Sequence, residues 1–193
     1  MSNALMLDEV GRKVIIRFNR PEIRCPLSVG VIEELLERLG DLNTRADLGT
    51  IIFTGSGDVF ASGADLREIA ALEPVDAANF AGRGQALMNT ISAMSAHTVA
   101  AVNGFCFGGA LDLALACDKR IASPAATFAH PGATLGIMTG WGGTQRLPRL
   151  IGEARALEMF FTARRVSADE ALSIGLVDEV ADEPLGLALK TIE

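Results

Sequence analysis

The stretch Ala101-Val102-Asn103-Gly104-Phe105-Cys106-Phe107-Gly108-Gly109-Ala110-Leu111-Asp112-Leu113-Ala114 decides the reading of this chain. An apolar strand ends in a glycine-rich turn, and a helix follows with a carboxylate in its first turn. The first amides of a helix have no intrahelical partner and lie beside the positive end of the helix dipole. Glycines at such a junction let a ligand oxygen approach the backbone closely. Asp112 falls three residues after Gly109, on the same helix face as that amide. An anion-stabilising N–H beside a proton-transferring carboxylate suits chemistry at the carbon next to a carbonyl. A close helix–strand contact, with an aspartate placed by the dipole alone, accounts for this stretch taken by itself equally well.

A second turn of the same design favours the chemical reading. Thr50-Ile51-Ile52-Phe53-Thr54 reads as a buried strand, followed by Gly55-Ser56-Gly57-Asp58-Val59-Phe60-Ala61-Ser62-Gly63-Ala64-Asp65-Leu66 and a helix over Asp65 to Ala71. Two amides from separate loops can hold one oxygen from two directions. With Asn19-Arg20-Pro21-Glu22, Phe128-Ala129-His130-Pro131-Gly132, Leu135-Gly136, Gly142-Gly143-Thr144-Gln145-Arg146-Leu147, Ala168-Asp169-Glu170-Ala171 and Gly175-Leu176-Val177, these segments run in order along nearly the whole chain. Together they resemble the crotonase family, the enoyl-CoA hydratase/isomerase superfamily.

Composition narrows the alternatives. The 193 residues are 49% hydrophobic and 21% charged, enough for one globular domain, 1–193, with a substantial core. Glycine reaches 20, aromatic residues make up 5%, and tyrosine is absent, which favours tight packing of small and aliphatic side chains. A net charge of -7 argues against a nucleic-acid footprint. No apolar run approaches the ~20 residues that cross a bilayer. Asp8 and Glu9 interrupt the first fourteen residues, so a secretory signal is not expected. Cys25, Cys106 and Cys117 are scattered in apolar context and read as reduced thiols of a cytoplasmic protein, and no clustered His/Cys pattern points to a metal.

Periodicity places strands at Val14 to Phe18, Ile51 to Thr54, Thr98 to Asn103, Arg120 to Ser123 and Leu176 to Val180. Helices are expected over Ser28 to Leu42 with Ser28 as N-cap, Asp76 to Met94, Gly109 to Cys117, Glu153 to Phe161 and Ala168 to Ile174. Strands alternating with helices indicate an α/β fold with largely parallel pairing. The resemblance adds what periodicity does not prove, a crotonase-like ββα superhelix. The sequence shows no internal repeat. Family members usually carry a further C-terminal helical segment over the acyl pocket; here Lys190-Thr191-Ile192-Glu193 follows soon after Pro184, so that segment is expected to be short or absent.

The resemblance also implies site residues. The amides of Ala64 and Gly109 would form an oxyanion hole for a CoA thioester, the substrate, with no separate cofactor. Gly63, Asp65 and Gly108 flank those amides, and Arg67 and Arg24 would lie along the CoA path, although an exposed arginine at 67 is as natural on a solvated surface. Trp141 would line or cap the acyl pocket, or serve as a core tryptophan. Family hydratases use two glutamates. The first position is Asp112, shorter by one methylene, a loss of reach of roughly 1.5 Å. The second is Gly132, in a register fixed by Phe128 and Leu135-Gly136. His130 is the nearest titratable substitute, on the same side as residue 132 if the segment is extended, but a histidine beside a turn proline is more often structural. His97 reads as solvent-facing. The family further implies a homotrimer or a hexamer of stacked trimers. Hydration, double-bond isomerisation and decarboxylation all draw on such a site, and so does an acyl-CoA-binding member with little turnover.

Overall fold

A computed structural model describes residues 4–191. Residues 1–3 and 192–193, which entered the readings of the two chain ends, lie outside it. The chain opens with an antiparallel hairpin of β1 (Leu5–Val10) and β2 (Lys13–Phe18), turned at Gly11, whose φ of 61° suits glycine. Then come β3 (Pro26–Leu27) and α1 (Val29–Leu42). Ser28 caps α1 as expected, its side chain accepting from the Val31 N–H. Next are β4 (Thr50–Thr54), β5 (Val59–Ala61), β6 (Gly63–Ala64), α2 (Leu66–Ala70) and α3 (Ala77–Ser92). They are followed by β7 (His97–Val102), β8 (Phe105–Phe107), α4 (Gly109–Ala116), β9 (Lys119–Ala122), β10 (Thr127–Ala129) and α5 (Gly132–Leu135). The chain continues through α6 (Gly143–Ile151), α7 (Glu153–Thr162), β11 (Val166–Ser167), α8 (Ala168–Ser173), β12 (Glu179–Val180) and α9 (Pro184–Thr191).

The repeat that the sequence conceals is architectural. The first strands of successive units, β2, β4, β7 and β9, lie side by side and parallel in a sheet ordered β1-β2-β4-β7-β9-β12. The second strands, β5, β8 and β10, pair in parallel in another sheet, with β11 antiparallel at its edge. A short parallel pair, β3 and β6, completes the set. The units that open with β4, β7 and β9 thus each send one strand to each of the two larger sheets, which is the superhelix the resemblance implied.

Alternation along the first sheet divides the core. Ile51 and Phe53 of β4, with Ala100 and Val102 of β7, point into the main cluster beneath the helices. Ile52, Val99, Ala101 and Ile121 point the other way and pack against Ala188 of α9. The helix α9 therefore covers the outer face of this sheet.

Two readings need correction. Phe105–Phe107, read as part of a turn, is the strand β8, too short for its alternation to show. Of the strand expected from Leu176, only Glu179–Val180 forms. The amides of Leu176 and Val177 instead donate to the Ala171 carbonyl, closing the end of α8 around Gly175 at φ 77°.

Candidate active site

Close approach of backbones builds the site. Asn103 ties the two glycine loops together: its side chain accepts from the Gly55 N–H at 2.9 Å and donates to the carbonyls of Gly57 and Val59. A β-carbon at Gly104 would lie 1.8 Å from the Asp58 carbonyl oxygen, so only glycine fits there. The α-carbon of Gly63, at φ 91°, sits against the start of α4, where an added β-carbon would meet the Gly109 nitrogen at 2.8 Å. Ala64 and Gly109 consequently share one end of a cavity of about 330 Å³. Gly108, at φ 54°, precedes Gly109 and lines the same cavity. Its amide donates to the Ala129 carbonyl, which anchors the turn to β10.

The rest of the wall is largely apolar, from Leu66, Ile69 and Leu72 around α2, Phe80 of α3, and Leu135, Ile137 and Met138. Trp141 is 3% exposed and wedged between helices. A β-carbon at Gly84 of α3 or at Gly109 of α4 would collide with its indole at 2.2 and 2.3 Å respectively, and its ring lies 5.7 Å from Phe80. It lies in the cavity wall and in the core at once.

The structure separates the two expected proton-handling residues by exposure to the cavity. Asp112 is fully buried and lies behind the wall, over the start of α6, where a β-carbon at Gly143 would lie 2.0 Å from its Oδ1. The side chains of two wall residues touch its carboxyl. The Thr139 hydroxyl donates to Oδ2 in a short hydrogen bond, and His130 Nε2 lies 3.5 Å from Oδ1. Burial pushes the Asp112 carboxyl up to about 7, opposed by the Thr139 hydroxyl, the Gly143 amide, the Arg146 charge and the Trp141 amide. Burial also pushes the His130 imidazole down to about 4, so it is neutral near pH 7. Its ring packs 5.0 Å from Phe160 of α7.

His130 and Gly132 do not share one side of an extended segment. β10 ends at Ala129, and Pro131 turns the chain into α5, which begins at Gly132. Gly132 is nevertheless a wall residue. Arg24, Asp65 and Arg67 line a separate depression that shares Ser62, Ala64 and Leu66 with the main cavity. Asp65, itself buried, caps α2 and grips the exposed Arg67 through two side-chain hydrogen bonds, at 3.0 and 2.6 Å. Arg24 adopts φ 63° and stacks 5.2 Å over Phe105. His97 is partly exposed and lies 3.4 Å from Asp118. Thr139, which the sequence reading passed over, has nothing in its neighbourhood to mark it; only the fold brings it to Asp112.

The chain matches the enoyl-CoA hydratase/isomerase family model over residues 12–190. It is 36% identical over 181 residues to the short-chain-enoyl-CoA hydratase of Clostridium acetobutylicum, a match covering 93% of this chain and 69% of that protein. It is 39% identical over 177 residues to the crotonyl-CoA hydratase of Syntrophomonas wolfei, covering 91% and 68%. Among solved structures, the enoyl-CoA hydratase from Bacillus anthracis superposes with a TM-score of 0.93 at 36% identity, covering 97% of this chain and 74% of that one. This protein belongs to the enoyl-CoA hydratase/isomerase family.

Proposed function

We propose that the protein is an enzyme acting on acyl-CoA thioesters, with the amides of Ala64 and Gly109 holding the thioester oxygen as it gains enolate charge. The observation that carries this reading is the contact of Gly63 with the Gly109 nitrogen, which gathers both glycine loops at one end of an apolar cavity. Preorganised amides of this kind contribute ~100- to 1,000-fold each in rate.

Asp112 is the acid/base of this reading, and it acts through His130. When the enolate carbon takes a proton from His130 Nδ1, Nε2 takes one from Asp112 Oδ1. The imidazole stays neutral before and after, and the carboxyl becomes carboxylate. The reverse sequence serves proton abstraction. A neutral imidazole and a carboxyl titrating near 7 are the states such a relay needs.

Crotonyl-CoA hydration, 3-enoyl-CoA isomerisation and decarboxylation of a malonyl-type thioester, assayed side by side, test the reading and choose among the reactions. Asp112→Asn is expected to abolish turnover while calorimetry still shows saturable binding of crotonyl-CoA. Binding that fails to saturate up to millimolar concentration overturns it. Gly132, which brings no second carboxylate, favours a second reading, an acyl-CoA-binding member with little turnover; saturable binding without activity on any of the three substrates is its signature. A homotrimer or stacked hexamer is the proposed assembly, which light scattering at micromolar concentration tests.

A further inference from the structure

Asp112 Oδ1 and His130 Nε2 are both buried, and neither has a hydrogen-bond partner among the described residues, as is also true of His130 Nδ1 on the other side of the ring. Yet they face one another at 3.5 Å. Orphaned polar atoms in a protein interior are costly, and two that face each other across such a gap call for one explanation. A single proton on Oδ1, directed at Nε2, supplies it. The other carboxyl oxygen is already committed, because the Thr139 hydroxyl donates to Oδ2.

We propose that Thr139 is a positioning residue: by holding Oδ2 it turns Oδ1 toward His130, so that carboxyl and imidazole keep one proton between them. The inference rests on the acid/base reading above and deepens it. Thr139 and His130 are both wall residues, so the buried carboxyl meets the cavity at two places, one fixing its orientation and the other carrying its proton. An ion pair here would place two opposite charges in a dry interior, whereas the neutral pair avoids that cost. The opposed displacements of the two groups, the acid up and the base down, agree with the neutral pair. Other titratable groups near it are Arg146 of α6 and the buried thiol of Cys106 on β8. Arg146 is held away by Asn89, Ser92 and the Met88 carbonyl, and Phe160 contributes only its ring.

The chain has two histidines, so side-chain ¹⁵N spectra, assigned with His97→Gln, read His130 directly. The wild type is expected to show His130 as one neutral tautomer, protonated on Nδ1, at pH 5 and 6, where the Asp112 carboxyl still holds its proton. Thr139→Val, close to isosteric, is expected to give a mixture of tautomers, and Thr139→Ser to restore the single one. Loss of a donor to the carboxylate also disfavours ionisation, so the midpoint of the activity–pH profile should rise by about one to two pH units in Thr139→Val and return in Thr139→Ser. A wild-type tautomer in Thr139→Val overturns the proposal, as does a doubly protonated His130 at pH 6 in the wild type. The spectra need no turnover. An inactive wild type with the expected tautomers therefore defeats the functional reading and leaves the Thr139 assignment standing.

Discussion

Gly132 stands where a second carboxylate is expected, and its surroundings explain why nothing larger is there. Its carbonyl accepts from the Ile137 amide at 3.0 Å, closing the turn around α5, and an added β-carbon would lie 2.4 Å from the Ile137 oxygen. Gly132→Glu is therefore expected to lower the thermal midpoint without raising hydratase activity; a gain in rate in a stably folded variant would show that the turn can open. At the Asp112–His130 pair, proton counting gives a sharper test. Between pH about 4 and about 6.5 the folded protein holds a proton on Asp112 and no second proton on His130, while the unfolded chain holds none on the aspartate and the second one on the histidine. The counts match, so the intact pair adds almost no slope to stability across that range. His130→Gln leaves the raised carboxyl alone, and stability should then fall as pH rises from about 4 to about 7. Asp112→Asn leaves the lowered imidazole alone, and stability should instead rise with pH from about 4 to about 6.5. Each slope is at most about 1.4 kcal/mol per pH unit, measurable by urea unfolding at pH 5, 6 and 7; two flat single variants would refute the assignment. The sequence named Asp112 and His130 because their residue types carry proton chemistry. It was silent on their order of access to the cavity, which depends on Pro131 turning the chain and on Trp141 and Thr139 closing over the carboxyl.

Among elements, those long enough to display a period were legible. α1, α3 and α7 form within a few residues of their expected bounds; β2 and β4 start a residue early, and β7 and β9 are displaced by a residue at both ends. The strands β5, β6, β8 and β10 have two or three residues each, too few for alternation to register, and pairing with neighbours defines them. α6 also went unread, because it starts within the pair Gly142-Gly143 and carries Pro148 within it. The contact between α3 and α4 was beyond reach for a different reason. Nothing in the sequence says that Gly84 and Gly109 make room for the same indole. Trp141→Ala is expected to cost about 3–5 kcal/mol, as truncation of a buried large aromatic does, and to enlarge the cavity beside Gly109. If the functional reading holds, that variant should accept bulkier acyl groups relative to crotonyl-CoA; unchanged selectivity with the full loss of stability would confine Trp141 to the core.

For the molecule as a whole, the walls come from segments far apart in sequence: 62–81, 108–109, 130–141 and Phe160. No single ββα unit contains the site. Pairings of this range give a high contact order and slow folding, because chain entropy is spent before the distant contacts repay it. The cavity is then among the last features to form as the chain folds, and the ability to bind should lag behind secondary structure in a refolding experiment. A ligand that recognises only the finished walls also becomes a reporter of completion. At a concentration 100 times its Kd it should stabilise the fold by about 2.7 kcal/mol, while a fragment that lacks any one of those segments gains nothing from it.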